Sequence, residues 1–182
     1  GGGLKLVVGG ALLGLIAAVG AQFDYGVLVT LLKYVAIAIG VMAVFTVTFY
    51  PVVLRISGMS PWFFLKKYYE VFVFAFSTSS SNATLPVNLQ VSEEELGVSN
   101  QVAAFVLPLG ATVNMNGTAI YQGVSAVFIA QVFGITLGLP DLLTIVLTAT
   151  LASIGAAGVP GIGMVTLTIV LTQLGIPLEG IA

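Results

Sequence analysis

The sequence contains no cysteine and no histidine, and only 7% of its 182 residues are charged. Without cysteine there is no disulfide framework and no thiolate chemistry. Without histidine the commonest metal ligand and the usual general base are missing. Five Lys+Arg and seven Asp+Glu cannot cover a soluble surface, which carries roughly 25% charged residues in typical domains. The composition therefore predicts an integral membrane protein, and the net charge of −2 argues against a nucleic-acid partner.

Long apolar runs are what the sequence has in place of charge. A helix needs roughly 20 apolar residues to span the hydrocarbon core of a bilayer. Residues 4–21 and 27–56 meet that requirement. Residues 57–69 combine Lys66, Lys67 and aromatic side chains, which predicts a cytoplasmic loop. We therefore expect a transmembrane helix and its connection over residues 1–26, and a second transmembrane helix over residues 27–56.

Two later apolar segments are interrupted by small and polar residues. Residues 70–91 contain a serine-rich stretch that ends at Pro86, and residues 141–178 contain a glycine-rich stretch around Pro160. Each apolar arm is too short to span, and irregular backbone inside a bilayer must be buried in protein or line a cavity. We expect two re-entrant hairpins that enter from opposite sides. Because proline suits the first position of a helix, Pro86 and Pro160 are expected to start the return helices.

Residues 101–137 form another long apolar run, with Asn114-Met115-Asn116-Gly117 in its middle. Asparagine competes for backbone hydrogen bonds and glycine adds conformational entropy, so this segment predicts a break in the helix. The predicted fold is an all-α integral membrane protein, with transmembrane helices, two opposed re-entrant helical hairpins and a broken central helix. Inverted elements around a discontinuous helix are typical of transporters, whose binding sites lie near the bilayer midplane.

The interruptions supply groups for binding a carboxylate and a cation. Helix N-termini and the polar side chains around Ser80 suit an anion, although Thr84 could simply cap a helix. Carbonyls freed before Asn114 suit sodium, although the asparagines could instead bond a neighbouring helix. The glycines from Gly155 to Gly163 suit a flexible gate or close helix packing. No acid–base pair lies at catalytic spacing within a span, so we expect no enzyme activity and no cofactor.

Three motifs together resemble one known family. They are Thr78 to Pro86 (TSSSNATLP), Leu107 to Ala119 (LPLGATVNMNGTA) and Ala152 to Gly161 (ASIGAAGVPG). In order and spacing they are similar to the first hairpin tip, the seventh helix and the second hairpin tip of the dicarboxylate/amino acid:cation symporters, the glutamate transporter homologues. The resemblance covers nearly the whole chain. It implies a sodium-coupled symporter of an acidic amino acid or dicarboxylate, or else of a neutral amino acid.

The resemblance also implies roles for individual residues. Substrate-contacting positions match Ser80, Ser81, Asn82, Thr118, Val159 and Gly163. Sodium-binding positions match Gly110, Thr112, Asn114, Asn116, Ser153, Ile154 and Ala156, several through their carbonyls. Met115 would lie between substrate and cations and couple them. Asn116 stands where the family has Asp, and Asn82 where it has Ser. The missing carboxylate removes one charge that would balance a cation.

At the level of the whole protein, the resemblance implies an elevator-like movement of a transport core within a homotrimer in a lipid membrane. Residues 1–26 would belong to the fixed scaffold and residues 27–182 to the transport core. The family's first four helices and its eighth helix are expected to be absent from this sequence. We expect a multi-pass protein of a cell membrane, namely the prokaryotic inner membrane. Two other functions stay open: a channel-like pore, because re-entrant loops also serve channels, and a truncated fragment that does not transport.

Overall fold

A computed structural model of the chain describes residues 25–181, and in this range every regular element is a helix. The predicted helix within residues 1–26 falls almost entirely outside the described residues. The helices are α1 (Tyr25–Ile56), α2 (Pro61–Lys67), α3 (Tyr69–Thr78), α4 (Ser81–Glu94), α5 (Asn100–Val113), α6 (Asn116–Val132), α7 (Leu139–Ser153), α8 (Ile162–Gln173) and a 3-10 helix (Leu178–Ile181).

Helix α1 is 32 residues long, and Ala38 is its one buried residue. The chain divides into two compact units, residues 1–37 and 38–182. Within residues 25–181, two segments are long and apolar enough to cross a membrane, Tyr25–Ile56 and Asn100–Val132. Many large apolar side chains on these segments are exposed to the surroundings. Such a surface suits lipid rather than water as its solvent.

The segment between α1 and α3 differs from the prediction of a plain loop, because it contains the short helix α2. Ser60 caps this helix by accepting a hydrogen bond from the Phe63 N–H, and Pro61 occupies the first helical turn. Serine before proline is a favourable start for a helix, because the cap satisfies an orphan donor and the ring fixes φ. The prediction of an unbroken loop over residues 57–69 was therefore wrong.

Helices α3 and α4 pack against each other as a first helical hairpin. The end of this hairpin away from its turn holds a small core of Tyr68, Val71 and Val91. The Tyr68 hydroxyl donates to the Asn88 side-chain oxygen, and it shares a hydrogen bond of 2.6 Å with the Ser92 hydroxyl. Burial raises the pKa of Tyr68, and the bond to Ser92 lowers it by less. These contacts fix one end of the hairpin and leave its tip at residues 79–82.

Helices α7 and α8 form a second helical hairpin, which packs against α6. The core between these three helices consists of small and branched apolar side chains: Ala126, Ile129, Ala130, Ile145, Ala149, Leu167, Val170 and Leu171, with Ile176 beyond α8. The hairpin turns at residues 154–161, which we call the second tip. We call residues 79–82 the first tip.

The central helix is interrupted at Asn114 and Met115, whose backbone leaves the helical conformation with ψ values of 66° and 55°. We call these two residues the break. Helix α5 before the break packs against α4 of the first hairpin, whereas α6 after it packs against both helices of the second. Each half of the interrupted helix is therefore held by one hairpin. The division of the chain into a scaffold part and a transport core remains a prediction.

The two prolines do not start the return helices as the sequence suggested. Helix α4 begins at Ser81 and contains Pro86 in its interior, while α8 begins at Ile162, after Gly161 as its N-cap. The serine-rich first tip already supplies a capping side chain, so the helix starts before its proline. The N-terminal end of α4 consequently lies among the serines.

Candidate functional site

The first tip reverses the chain between α3 and α4 within two residues. Ser79 adopts a left-handed conformation with φ of 48°, which is uncommon for a residue with a side chain. Ser80 then has extended backbone, and its Oγ accepts a hydrogen bond of 3.2 Å from the Ala83 N–H. This is the usual N-cap arrangement of serine. It places the positive end of the α4 dipole at the tip.

The first tip is hydrogen-bonded to the second tip through one carbonyl. The Ser80 hydroxyl donates to the Gly158 oxygen at 2.6 Å, and the Asn82 N–H donates to the same oxygen at 3.0 Å. Gly158 is buried. A Cβ atom on Gly158 would lie 2.6 Å from the Asn82 Oδ1 and 2.9 Å from the Asn82 N. The approach of the two tips therefore requires glycine at position 158.

The second tip is also bonded to the helix before the break. The Gly155 N–H donates to the Thr112 carbonyl at 2.9 Å, and Gly155 has φ of +79°, a conformation that glycine adopts at little cost. This bond brings the Thr112 carbonyl beside the turn that contains three other predicted sodium-binding positions. Ser153 and Ala156 are buried there, whereas Ile154 is exposed.

The break and the helical turns beside it hold more of the predicted residues. The Asn114 N–H closes the last turn of α5 by donating to the Gly110 carbonyl at 2.9 Å. Met115 is buried, with 8% of its surface exposed, and the Thr118 hydroxyl lies 3.8 Å from its sulfur. Asn116 is the first residue of α6. The carboxyl end of one half-helix and the amino end of the next thus meet around Met115.

A cavity of about 550 Å³ lies between the first hairpin and α5. It gathers predicted residues of both kinds on one surface: Ser80 and Ser81 from the substrate group, and Gly110 and Asn114 from the sodium group. Ser79, Thr84 and Asn88 add further polar groups to the same wall. The cavity therefore connects the first tip to the break.

The remaining predicted substrate residues lie on the second hairpin and α6. A Cβ atom on Gly163 would meet the Tyr121 ring at 3.1 Å and the Thr118 methyl at 3.9 Å, so these three residues are neighbours. Val159 is exposed, and its N–H donates to the Ala157 carbonyl within the second tip. None of these residues lines the cavity between the first hairpin and α5.

Charged side chains take no part in this arrangement. The cavity wall contains none, and the described residues include no group of three or more Asp, Glu, His or Cys that could hold a metal ion. A cation here would meet carbonyl and amide oxygens, which suit a hard ion such as sodium. An anion would meet helix N-termini and hydroxyls.

Sequence reasoning missed three features of the site. The Gly158 carbonyl is the acceptor that joins the tips. The Tyr121 ring closes over Gly163. Gln122 of α6, fully buried, donates to the Thr166 hydroxyl of α8. Gln122 lies four residues after Thr118, on the same helix face. A polar residue within the long apolar run 101–137 was the signal in the sequence that could have identified it.

The model of the sodium:dicarboxylate symporter family matches residues 9–182. The chain is 48% identical over 123 residues to an excitatory amino acid transporter of Caenorhabditis elegans, a match covering 68% of this chain and 24% of the relative. It is 48% identical over 126 residues to excitatory amino acid transporter 1 of Homo sapiens, covering 69% of this chain and 23% of the relative.

Excitatory amino acid transporter 4 of Mus musculus gives the same identity, covering 69% of this chain and 22% of the relative. The chain thus spans about a quarter of the length of these relatives. The family match extends over all three motifs and over every described helix. It confirms the resemblance drawn from the sequence, and the name of the family identifies its members as symporters that couple sodium to dicarboxylates. The chain belongs to the sodium:dicarboxylate symporter family.

Proposed function

We propose that this chain forms the substrate- and cation-binding core of a sodium-coupled symporter for an acidic amino acid or dicarboxylate, or else for a neutral amino acid. The names of the relatives favour an excitatory amino acid. The protein is a carrier and not an enzyme. It uses no cofactor, and sodium ions are co-transported. Its partners are the substrate, sodium and membrane lipid.

One observation carries this proposal: the two hairpin tips meet each other and the broken helix through hydrogen bonds at Gly158 and Gly155. Anion-favouring helix ends and cation-favouring carbonyls are thereby held within one small region. A charged substrate and its accompanying cation would each find suitable groups there without any charged side chain.

The proposed roles follow this division of polarity. The substrate-binding residues are Ser80, Ser81, Asn82, Thr118, Val159 and Gly163. The sodium-binding residues are Gly110, Thr112, Asn114, Asn116, Ser153, Ile154 and Ala156. Met115, buried at the break, lies at the boundary between the two groups and would transmit occupancy from one to the other.

We further propose that both hairpins are re-entrant, that the core moves as an elevator, and that the protein assembles as a homotrimer. The protein would lie in a cell membrane as a multi-pass protein. The reported relatives are animal proteins, so they lend no support to the prokaryotic inner membrane that the sequence suggested.

Uptake into liposomes tests the proposal. The protein, in the form that its gene encodes, is reconstituted, and uptake of radiolabelled aspartate, succinate and serine is measured with and without an inward sodium gradient. Asn114→Ala should lower the sodium dependence of uptake sharply, because it removes a proposed cation ligand at the break. Asn100→Ala is the matched control, since Asn100 is in the same helix and, in the described part of the chain, its side chain bonds only to the Glu93 carboxylate.

Equal sodium dependence in the two variants would refute the cation assignment. Conductance that continues without any substrate, with no accumulation against a gradient, would instead support the channel-like pore. Of the three substrates, the one that sodium drives inward identifies the class.

A further inference from the structure

Helix α2 and the start of α3 present one exposed face outside the site described above. Four side chains spaced i, i+3, i+4 and i+7 make up this face, namely Trp62, Leu65, Lys66 and Tyr69. Side chains at this spacing lie on one side of a helix, and the Tyr68 N–H continues the helical path by donating to the Phe64 carbonyl at 2.8 Å. The four residues line a cleft of about 450 Å³. We call them the α2 face.

The opposite side of the same segment packs into the protein. Phe64 stacks on Tyr68 with ring centroids 4.6 Å apart, and Phe64 packs against the small core of the first hairpin. The α2 face therefore points away from that hairpin, and it leaves Trp62 77% and Tyr69 68% exposed. Aromatic side chains that are held outward beside other apolar groups mark an interaction surface.

Lys66 gives the α2 face a free positive charge. Lys66 is exposed, and the ion pair that the described residues form joins its neighbour Lys67 to Glu95. Glu70 lies one turn after Lys66 and is exposed, but the two are not paired in the described part of the chain. Residues 55–69 contain three basic residues and no acidic one. The segment therefore attracts an anion.

A lipid headgroup fits this face better than a protein partner does. Tryptophan and tyrosine are enriched where a membrane meets water, and lysine lays its apolar stem along such a surface while its ammonium stays among the headgroups. Trp62 lies one turn before Lys66, and Tyr69 lies nearly one turn after it. The centre of a protein interface is poor in lysine, whereas this face has at its centre a lysine that no described acidic residue neutralises.

We propose that the α2 face is a binding site for the headgroup of an anionic phospholipid, with the Lys66 ammonium on the phosphate and Trp62 and Tyr69 at the boundary of the acyl chains. Anionic lipids give the cytoplasmic leaflet its negative potential, and this is the side that the sequence predicts for residues 57–69. The site rests on the membrane location in the proposed function and on no step of transport. Because Phe64 joins the face to the first hairpin, a bound headgroup holds that end of the hairpin at the membrane surface.

Quenching of Trp62 fluorescence by brominated lipids tests the site, because the bromine quenches only tryptophan that it approaches closely. The protein, in the form that its gene encodes, is reconstituted in vesicles that range from pure phosphatidylcholine to pure phosphatidylglycerol. In one series the phosphatidylcholine is brominated, and in the other the phosphatidylglycerol. Trp62 is the one tryptophan of this sequence, and subtraction of a Trp62→Phe variant isolates its signal. The two quenching curves give the relative binding constant of the lipids at Trp62.

The parent should bind phosphatidylglycerol about fivefold more tightly than phosphatidylcholine, which is the factor expected of one lysine near anionic lipid. Lys66→Gln should reduce this ratio to about one, the value without a charge preference, whereas Lys66→Arg should keep it. Lys33→Gln is the matched control, because it removes the same charge from an exposed position in α1. It should leave the ratio at Trp62 unchanged. High salt should lower the ratio in the parent, since it screens exposed charges.

Three results would overturn the proposal. Failure of both brominated lipids to quench Trp62 would show that protein or water covers the α2 face. Equal quenching by the two lipids in the parent would show a face that meets lipid without selecting a headgroup. A preference that survives Lys66→Gln, or that Lys33→Gln abolishes as well, would assign it to charge elsewhere in the protein.

Uptake measured in the same vesicles separates this proposal from the proposed function. A preference that depends on Lys66, in a protein without sodium-driven uptake, would leave the headgroup site standing and overturn the function. Sodium-driven uptake with no lipid preference at Trp62 would do the reverse.

Discussion

Gly158→Ala is the substitution for which the structure gives the sharpest expectation. The added Cβ would lie 2.6 Å from the Asn82 Oδ1, 2.9 Å from its Cγ and 2.9 Å from its backbone N. Separations under about 3.5 Å are repulsive for carbon in van der Waals contact. The side chain could rotate away, but the backbone nitrogen belongs to helix α4. The tips must therefore separate by several tenths of an ångström.

Overpacking of this kind costs about 1–3 kcal/mol, and the same displacement lengthens both hydrogen bonds to the Gly158 carbonyl. A shift of ~1.4 kcal/mol changes an equilibrium tenfold. We therefore expect the ratio of molecules with joined tips to molecules with open tips to fall by roughly tenfold or more. The sequence contains no cysteine, so a cysteine in place of the buried Ala156 gives a single reporter for separation of the tips. It should react faster with a thiol reagent by a similar factor, and the melting temperature of the protein in detergent should decrease.

Two controls separate this mechanism from a general effect of replacing glycine. Gly40 has no heavy atom within 4 Å of its Cβ position and lacks a positive φ, so Gly40→Ala should change neither measurement. Asn82→Ala in the Gly158→Ala background removes two of the three close atoms and should restore part of the closure. Gly158→Ala with parental stability and labelling would show that the tips do not approach as closely as described, and the reasoning would fail.

Two further predictions concern the packing that supports the site. Thr166→Val should lower the free energy of unfolding by about 1–3 kcal/mol, because the fully buried Gln122 amide loses its acceptor and its Oε1 already has no partner among residues 25–181. Thermal unfolding in detergent measures the loss, and adding Gln122→Leu should recover most of it. A Thr166→Val variant with unchanged stability would contradict the buried bond. Lys67→Ala should lower the free energy of unfolding by less than about 1 kcal/mol, because the Lys67–Glu95 pair is 40% and 44% exposed and therefore weak. Lys66→Ala is the control, since Lys66 is exposed and has no ion pair among residues 25–181. A loss well above about 1 kcal/mol relative to this control would refute the estimate.

The sequence predicted the helical segments because their apolar lengths are set by local composition. It also located the break, since Asn114 and Asn116 disfavour the middle of a helix regardless of their surroundings. It was wrong about Pro86, because a serine cap six residues earlier, Ser80, starts α4 before the proline can. Local preferences compete there, and the sequence alone does not reveal which of two acceptable starts the packing selects.

The contact between the tips could not be predicted in its detail. Ser80 and Gly158 are 78 residues apart, and a serine hydroxyl has several possible acceptors within its own turn. The choice of the Gly158 carbonyl depends on how α5 and α6 orient the two hairpins. The resemblance to a family assigned Ser80, Ser81 and Asn82 one common role, whereas the hydrogen bonds distinguish among them.

The same short segment of the second tip carries both of its connections. Gly155 donates to the Thr112 carbonyl of α5, and three residues later Gly158 accepts from the first tip. A movement that lifts this segment breaks both connections, so the Thr112 carbonyl and the donors of the first tip are released together. A ligand shifts an equilibrium by its difference in affinity for the two states. A cation that binds more tightly when Gly155 is bonded to Thr112 would therefore also favour the bond between Gly158 and the first tip. Under the proposed function, sodium and substrate would affect each other's binding through this one turn, residues 155–158, without a charged side chain between them.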